Sequence, residues 1–354
     1  MKKVKILLVG TAFSADLHMD AYSRYTDKAE IAAICSKEVP QLHALAEKYG
    51  VAGFKVYEDF NVAIDETECD LVDICVPNFL HRDVCLKALE KGRHVICEKP
   101  LATTVSDGEA MIKKSKETGK HIYYAEDWLF APAIMKALEI IREGAIGKPV
   151  FIRARECHCG SHSPFAQTIK FCGGGAMMHL GIHPAAFLLS LKNNEWTELT
   201  AMTSGGKEDN LIHKNLEGED WAGCLMRFKD GTAALIEANY ATSGGMEDVI
   251  DFYGDRGVLH IDLNSTGPIS CFSIPGLSYT VEKAEITTGW SRPAVDEKLN
   301  LGYVGEIGHF IDCCAKNIPA KKGLRGEDGL AALKVIDGAY LSAREGRAIK
   351  NEII

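Results

Sequence analysis

The chain has 354 residues, of which 46% are hydrophobic and 25% are charged, so it can bury a large core and is long enough for two domains. Its formal net charge of -9, without a basic block, argues against a general nucleic-acid binder. No apolar stretch approaches the length of a membrane span, and 12 cysteines without Cys-x-x-Cys spacing are typical of reduced thiols. We therefore expect a soluble, cytoplasmic protein.

Strands and helices alternate through the first third of the sequence. Val4–Val9 is a compact apolar run followed by Gly10 and by a helical stretch at residues 14–24, which is how a dinucleotide-binding unit begins. Four further apolar runs follow at residues 31–35, 71–76, 94–97 and 121–125. Because short connections join alternating strands and helices, the pattern predicts a parallel, doubly wound sheet.

The turn after the first strand keeps only the first glycine of the G-x-G-x-x-G pattern, at Gly10. Ala12 places a methyl group where the backbone would approach a pyrophosphate, so this motif alone is equally compatible with a plain strand-to-helix turn. After the second strand, Ser36 and Lys37 stand where NAD-binding units usually carry an acid. A hydroxyl and a cation suit a 2′-phosphate better than a carboxylate does, which favours NADP slightly over NAD.

Lys99 follows the apolar run 94–97, within the tripeptide Glu98-Lys99-Pro100. It therefore emerges at the carboxyl end of a predicted strand, where open α/β sheets bind their ligands. A lysine at this position can hold a substrate oxygen by a charge-assisted hydrogen bond, whereas a surface Lys-Glu pair is the alternative. Asp127 and Trp128 follow another predicted strand end and can face the same cleft.

From residue 149 onward the sequence changes to alternating runs, which are typical of an antiparallel sheet with one buried face. Helical patterns at 302–316 and 328–345 end the chain, and these last helices can pack back on the first domain. We predict a dinucleotide-binding domain at residues 1–125 and an α+β domain with a large, mostly antiparallel open sheet at residues 126–354.

Two histidines follow a glycine run in the second domain. Residues 173–175 are glycines, and His179 and His183 would lie one turn apart on a single helix beyond them. Three interpretations are open: packed polar groups, a metal-binding pair, or an acid/base residue with a helper. The glycines favour a ligand, because they allow close backbone approach and expose amides.

The motifs occur in the order seen in the Gfo/Idh/MocA oxidoreductases, which the chain resembles over nearly its full length. They are Val9-Gly10, Pro77-Asn78 with His81, Glu98-Lys99-Pro100-Leu101-Ala102, Phe130-x-Pro132, Gly144-x-x-Gly147, Gly173-Gly174-Gly175 with Gly181 and His183, and Glu219-Asp220. The resemblance implies a Rossmann domain, a second domain whose open sheet often makes an oligomer contact, and NAD(P)-dependent oxidation of a sugar or cyclitol hydroxyl, or the reverse reduction. It also implies a homo-oligomer, a dimer or tetramer.

The resemblance also implies roles for individual residues. Lys99 would bind and orient the reacting hydroxyl, and His183 would take its proton as the hydride leaves. The cofactor would contact Gly10, Thr11, Ala12, Phe13, Ser36, Lys37, Pro77, Asn78, His81, Glu98 and Lys99. This chain departs from the family at His179, where an aspartate is usual. We expect the substrate to be bound by Glu156, His158, His162, His179, Asp127 and Trp128.

Several alternatives stay open at this point. Trp128 can stack on a sugar ring or belong to the core, and Asp127 can hold a hydroxyl or pair with a cation. We expect no metal, although a site built from Glu156, His158, His179 and His183 is the alternative. The protein can also be a glycoside-oxidising member with tightly bound, recycled NAD(H), or a dinucleotide or sugar sensor without turnover.

Overall fold

The computed structural model describes residues 2–264, 269–284 and 287–353. It divides into two compact units. Unit 1 comprises Met1–Asp127 and Tyr303–Leu333, and unit 2 comprises Trp128–Gly302 and Lys334–Ile354. Each unit is therefore built from two separate segments of the chain.

Unit 1 contains a six-stranded sheet in which all neighbouring strands are parallel. Its strands are β1 (Val4–Val9), β2 (Ala29–Cys35), β3 (Lys55–Tyr57), β4 (Leu71–Ile74), β5 (His94–Cys97) and β6 (Ile122–Tyr124). The order β3-β2-β1-β4-β5-β6 reverses direction between β1 and β4, which makes the sheet doubly wound as predicted. The short strand β3 was not predicted, because its three residues include two exposed ones and no apolar run.

Helices connect the parallel strands of unit 1. They are α1 (Phe13–Ser23), α2 (Val39–Lys48), α3 (Phe60–Glu66), α4 (His81–Glu90) and α5 (Val105–Thr118). Side chains cap two of them: the Asp59 carboxylate accepts the Asn61 N–H at the start of α3, and the Thr104 hydroxyl accepts the Asp107 N–H at the start of α5. The apolar strands β4 and β5 are fully buried, so the helices cover both faces of the sheet there.

Unit 2 contains a seven-stranded, mostly antiparallel sheet, as the alternating pattern predicts. Its strands are β7 (Pro149–Cys157), β8 (Trp196–Thr203), β9 (Trp221–Phe228), β10 (Ala233–Asn239), β11 (Glu247–Gly254), β12 (Val258–Asp262) and β15 (Ile349–Lys350), and a separate hairpin pairs β13 (Cys271–Ser273) with β14 (Gly289–Ser291). The order is β12-β11-β7-β10-β9-β8-β15, and only β7 and β10 are parallel neighbours. Buried and exposed residues alternate along β9, so one face of the sheet is packed.

Five helices of unit 2 lie between β6 and the chain's last two helices. They are α6 (Pro132–Arg142), α7 (Ile169–Cys172), α8 (Ala176–His179), α9 (Ile182–Leu191) and α10 (Glu297–Leu301). The expected single helix carrying His179 and His183 is divided into α8 and α9. Gly181 is the N-cap residue of α9 and packs closely against α8. A Cβ at this position would lie only 2.4 Å from Met177 Sδ. The two histidines therefore belong to different helices.

The last two helices are α11 (Tyr303–Lys316) and α12 (Gly326–Glu345). Within unit 1, α11 packs on α1 and its flank: the Tyr25 hydroxyl donates to Val304 O at 3.0 Å, and Gly308 leaves room for the Tyr25 ring. Among the described residues, no single helix is long and apolar enough to cross a membrane; one pair bent by 56°, Ile169–His179 with Ile182–Leu191, reaches that length and composition jointly.

Candidate functional site

The turn between β1 and α1 is shaped by Gly10. Its φ of 111° is favourable only for glycine, and a Cβ would lie 2.0 Å from Cys75 O in the chain after β4. Among the residues that the structure describes, no side chain caps the N-terminus of α1 at Ala12. The turn residues Thr11, Ala12 and Phe13 thus lead directly into a helix start, and the N-terminus of a helix is suited to binding a phosphate group.

Ser36 and Thr11 join the carboxyl ends of β2 and β1. Their hydroxyl oxygens are 2.8 Å apart, and Ser36 Oγ also accepts the Glu38 N–H at 3.1 Å. Lys37 beside them is exposed. Two hydroxyls therefore lie together at the end of β2, beside an exposed lysine, and residues of these types fit the ribose of a dinucleotide bound at this turn.

His81 connects the chain segments that follow β4 and β5. It is buried at the start of α4, with Nε2 2.9 Å from Val76 O and Nδ1 2.9 Å from Pro100 O. Burial lowers the pKa of His81. Pro77 and Asn78 precede it in a short 3₁₀ turn. The imidazole thereby positions the two strand ends that carry Asn78 and Lys99.

Beneath Lys99 lies a buried charged network, defined here as the His18 network: His18, Tyr22, Asp73 and Glu98. His18 Nδ1 is 2.9 Å from Asp73 Oδ2, and His18 Nε2 is 3.0 Å from Glu98 Oε1. The Tyr22 hydroxyl donates to Asp73 Oδ2 at 2.8 Å. An imidazole can donate from both nitrogens only when it is protonated, so this arrangement favours an imidazolium between two carboxylates.

The charges in the His18 network reinforce one another. Burial by itself lowers the pKa of His18, but the charge and hydrogen bond of Asp73, together with those of Cys75, outweigh it and raise the pKa well above its ordinary value. Burial raises the pKa of Glu98, but the hydrogen bond and charge of His18 outweigh it and lower the pKa. Asp73 therefore stabilises the charged form of His18, and His18 stabilises the charged form of Glu98.

Glu98 connects this network to Lys99. Its second oxygen, Oε2, accepts the Lys99 backbone N–H at 3.0 Å, while Lys99 itself is half-buried at the end of β5. The same carboxylate thus accepts a hydrogen bond from the His18 side and one from the lysine backbone. The position of Lys99 is fixed by buried groups from α1 and β4 as well as by its own strand.

Asp127 lies at the end of unit 1 and is 4% exposed. Burial, followed by the charge of Asp127, raises the pKa of Glu306 in α11 well above its ordinary value. Glu306 Oε1 in turn accepts the Glu126 N–H at 2.5 Å. Asp127 therefore belongs to a cluster of buried carboxyl groups.

In unit 2, His183 is buried between an aromatic ring and a carboxylate. Its ring stacks on Trp128, with centroids 5.8 Å apart and planes inclined by 14°. His183 Nε2 is 3.7 Å from Glu156 Oε2, which is ion-pair distance but too long for a hydrogen bond. Trp128 is 2% exposed and also packs edge-on against Phe187, so its ring belongs to the core, the second of its two alternatives.

His179 and His158 meet at Tyr240, the residue after β10. His179 Nδ1 is 2.6 Å from the Tyr240 hydroxyl, and the His158 ring stacks on the Tyr240 ring at 5.3 Å. The Gly160 N–H donates to His158 Nδ1, so neutral His158 carries its proton on Nε2. Burial and the charge of Glu219 raise the pKa of Tyr240 well above its ordinary value, which keeps it a neutral phenol.

The glycine run packs closely against other parts of the protein, and its neighbouring backbone amides form hydrogen bonds within the protein. The Gly175 N–H donates to Glu219 Oε2 and to the Tyr340 hydroxyl, and the Met177 N–H donates to Glu219 Oε1. A Cβ on Gly175 would lie 2.1 Å from Glu219 O. The expected exposed amides are therefore occupied by Glu219 and Tyr340, which corrects the ligand interpretation of these glycines.

His162 is more exposed than the other predicted substrate residues of unit 2. Its side chain is 52% exposed, and its Nε2 is 3.3 Å from Glu282 Oε1. Burial and the charge of Lys283 lower its pKa. Among the described residues, Glu156, His158, His179 and His183 do not supply three ligand atoms within 4.8 Å of one another.

Sequence reasoning missed His18, Asp73 and Tyr240. Asp73 offers one local signal, since it is a charged residue inside the fully buried strand β4 and needs a partner. His18 falls on the buried side of α1 without any motif that was recognised, and Tyr240 ends an ordinary alternating strand. The hydrogen bonds that reveal them span 51 residues for Tyr22–Asp73, 55 for His18–Asp73, 61 for His179–Tyr240 and 80 for His18–Glu98.

Two family models together cover more than half of the chain. Residues 4–126 match the model described as an oxidoreductase family with an NAD-binding Rossmann fold, and residues 134–260 match the GFO/IDH/MocA C-terminal domain. The two matched domains occur in the order that the sequence motifs predict, with the Rossmann domain first.

Relatives of known activity are similar over almost the whole chain. D-apiose dehydrogenase of Paraburkholderia graminis is 27% identical, covering 99% of this chain and 90% of that protein. D-glucoside 3-dehydrogenase of Escherichia coli is 26% identical, covering 98% and 97%.

Among solved structures, GenD2 from gentamicin A biosynthesis in complex with NAD has a TM-score of 0.89 at 20% identity, covering 99% of this chain and 97% of that one. At this identity the likeness shows the fold. Together with the family models, it establishes that the chain belongs to the GFO/IDH/MocA oxidoreductases and that residues 4–126 form its NAD-binding Rossmann domain.

Proposed function

We propose that the protein transfers a hydride between a nicotinamide cofactor and a secondary hydroxyl or ketone of a sugar, cyclitol or glycoside. Relatives with this chemistry, including apiose, glucoside and myo-inositol dehydrogenases, match at least 97% of the chain. The proposal depends chiefly on the position of Lys99 after the carboxyl end of β5 in an NAD-binding domain, where the Lys99 backbone N–H donates to Glu98. Bound NAD(P) supplies the hydride chemistry.

The two proposed catalytic residues have separate tasks. Lys99 orients the reacting hydroxyl, and its positive charge stabilises the negative charge that develops on the oxygen. His183 accepts the hydroxyl proton, a role suited to an imidazole because it titrates near neutral pH. The contacts of His183 with Trp128 and Glu156 keep its ring in one orientation.

We further propose that the imidazole of His179 replaces the aspartate usual in the family as a contact to substrate hydroxyls. An imidazole can donate as well as accept, whereas a carboxylate only accepts. The Tyr240 hydroxyl fixes the His179 ring. We assign supporting substrate contacts to Glu156, His158, His162 and Asp127, while Trp128 supports His183. Elemental analysis of tag-free protein for zinc and manganese tests the alternative of a metal held by this histidine-rich cluster.

Replacing Lys99 by alanine should lower kcat/KM by about a hundred- to a thousand-fold, because one preorganised donor at a developing oxyanion contributes that much. The far-ultraviolet circular dichroism spectrum should stay that of the native protein, because alanine keeps the backbone N–H that donates to Glu98. Lys113→Ala is the matched control, since Lys113 is 79% exposed on α5. Activity retained in Lys99→Ala would refute the assigned role.

The function itself is tested by native mass spectrometry of the purified protein for co-purifying cofactor, followed by a polyol, cyclitol and glycoside panel read at the nicotinamide absorbance. Reduction of added cofactor by a member of the panel supports a dehydrogenase. Product formation without net reduced cofactor supports the glycoside-oxidising alternative with recycled NAD(H). Sugar-dependent changes in bound-cofactor fluorescence without any product support a sensor and contradict the proposed enzyme.

For the cofactor, we propose a preference for NADP, supported by Ser36 with Lys37 at the carboxyl end of β2. Ser36→Asp should move the ratio of kcat/KM values towards NAD by about tenfold or more, because a carboxylate repels the 2′-phosphate and accepts from ribose hydroxyls. Ser36→Ala removes the hydroxyl without adding charge and should change this ratio of kcat/KM values less. Native protein that copurifies with NAD and prefers it would overturn this proposal.

We also propose that the protein acts in the cytoplasm as a homo-oligomer, a dimer or tetramer, without a membrane or nucleic-acid partner. The seven-stranded sheet of unit 2 carries large apolar side chains on its unpacked face, with Met202 68% and Leu225 56% exposed. Apolar groups on a sheet face are suited to a contact between copies of the chain. Sedimentation velocity measures the assembly, and cell fractionation measures the location.

A further inference from the structure

Unit 2 contains a cavity of about 790 Å³ that the proposed reaction on one sugar ring does not need. Its walls come from residues 159–167 after β7, from residues 212–216, from Tyr240 and from residues 278–284 with Thr287. Cavities of about 300 to 1,000 Å³ hold ligands of drug size, larger than one monosaccharide. The space therefore suits a ligand with at least one group beyond the reacting ring.

The cavity adjoins the residues proposed to bind the reacting ring. Tyr240 forms part of its wall, and the Tyr240 hydroxyl is 2.6 Å from His179 Nδ1. The lining also includes Cys159, which follows His158, and the His158 ring stacks on Tyr240. His162, the most exposed of the predicted substrate residues of unit 2, also lines this cavity. A ligand that reaches from His179 past Tyr240 would meet His162.

The chemistry of the lining matches a carbohydrate. Hydroxyl groups of Ser161, Ser278 and Thr280 and the imidazole of His162 offer both donors and acceptors, whereas His213 Nε2 already contacts Tyr240 O at 2.8 Å. Tyr279 lines the cavity with 60% of its surface exposed, so its ring can pack against the C–H face of a sugar. Lys283 extends across the wall, where its Nζ donates to Gly160 O at 2.7 Å and joins two of the loops.

Given the proposed function, on which this inference rests, we propose that this cavity binds a second sugar ring, linked glycosidically to the ring that is oxidised. The preferred substrate class is then a disaccharide or larger glycoside rather than a free monosaccharide. His162 contacts the second ring in this arrangement, while His179 contacts the first.

The test compares glucose and galactose with disaccharides that contain them, such as maltose, cellobiose and lactose, in native protein and in Ser278→Trp. Ser278 is exposed and lines the cavity, so an indole there fills the space without disturbing a buried group. For the native protein, kcat/KM should be about tenfold or more higher for the best disaccharide than for its monosaccharide, the scale set by a few specific contacts. Ser278→Trp should remove this advantage and leave the monosaccharide value within about twofold.

Ile274→Trp is the matched control, because Ile274 lies on the same segment, is 83% exposed and does not line the cavity. Equal activity on mono- and disaccharides that Ser278→Trp does not change would overturn the second-ring site while leaving the dehydrogenase intact. If neither these sugars nor any member of the polyol, cyclitol and glycoside panel is turned over, the proposed function fails, and calorimetric titration with the same disaccharides tests the cavity separately. Binding to native protein that Ser278→Trp weakens about tenfold supports the site, and equal or absent binding overturns it.

Discussion

Replacing His183 by asparagine should lower kcat by about a hundred- to ten-thousand-fold, because the proton of the reacting hydroxyl then has no positioned base. Asparagine keeps a polar side chain at a buried position but does not titrate. The native enzyme should lose activity as the pH falls and the imidazole becomes protonated, since a protonated imidazole cannot accept the proton. In the asparagine variant the residual activity should lack this acid limb.

His260→Asn serves as the control, because His260 is 62% exposed on β12 of the same unit. It should leave both kcat and the pH profile unchanged. Circular dichroism and cofactor binding check that His183→Asn retains the fold, as the substitution also removes the stacking on Trp128. A folded variant with native kcat, or with the native acid limb, would show that another group accepts the proton.

Replacing His18 by leucine should reduce the free energy of unfolding by about 3–5 kcal/mol, the cost of removing one partner from a buried ion pair. Leucine fills similar space, but it leaves the buried carboxylates of Asp73 and Glu98 without their shared donor. Because Glu98 also accepts the Lys99 N–H, we expect turnover to fall as well. Urea unfolding followed by far-ultraviolet circular dichroism measures the stability.

The pH dependence of this contribution has a definite sign. The pKa of His18 is raised in the folded state, so its contribution is complete below the pKa of an unfolded histidine and is lost as the pH rises through the folded value. The pKa of Glu98 is lowered, so its contribution is present above the unfolded carboxyl pKa and is lost as the pH falls through the folded value. The His18 network therefore contributes most to the stability between the pKa of an unfolded carboxyl group and the pKa of an unfolded histidine.

His43→Leu is the control for this measurement, since His43 is exposed on α2 of the same unit and should change stability little. In an Asp73→Asn background, His18→Leu should cost less than it does alone, because one uncompensated charge has been removed. A His18→Leu variant as stable as the native protein at every pH would show that the imidazole is neutral and dispensable.

The architecture could be derived from local patterns. Apolar runs such as Val4–Val9 and Leu71–Ile74 separated by helical periodicity predict parallel strands, and alternation in residues 150–156 predicts an antiparallel sheet. These patterns are visible because burial on both faces or on one face dictates which residues a strand can carry. Elements without a strong pattern were missed: β3 is short and largely exposed, and β8 was not singled out.

The sequence predicts the presence of the helices better than it predicts the residues at which they begin and end. Ser106 with Glu109 has the spacing of a capping box, but the N-cap of α5 is Thr104, two residues earlier, whose hydroxyl accepts the Asp107 N–H. Both residues are acceptable caps, and the local sequence gives little reason to choose between them. The same holds for the helix expected to carry His179 and His183, where packing at Gly181 decides in favour of two helices.

The sequence by itself determined that Lys99 ends a buried strand of a dinucleotide-binding sheet and that histidines follow a glycine run. Only the tertiary structure decided what surrounds them. His18 meets Asp73 and Glu98 across 55 and 80 residues of chain, and His179 meets Tyr240 across 61. Such pairs leave no periodic trace, because each depends on which strand ends and helix faces the fold brings together. That is why the residues supporting Lys99 and His179 appear only once the chain is folded.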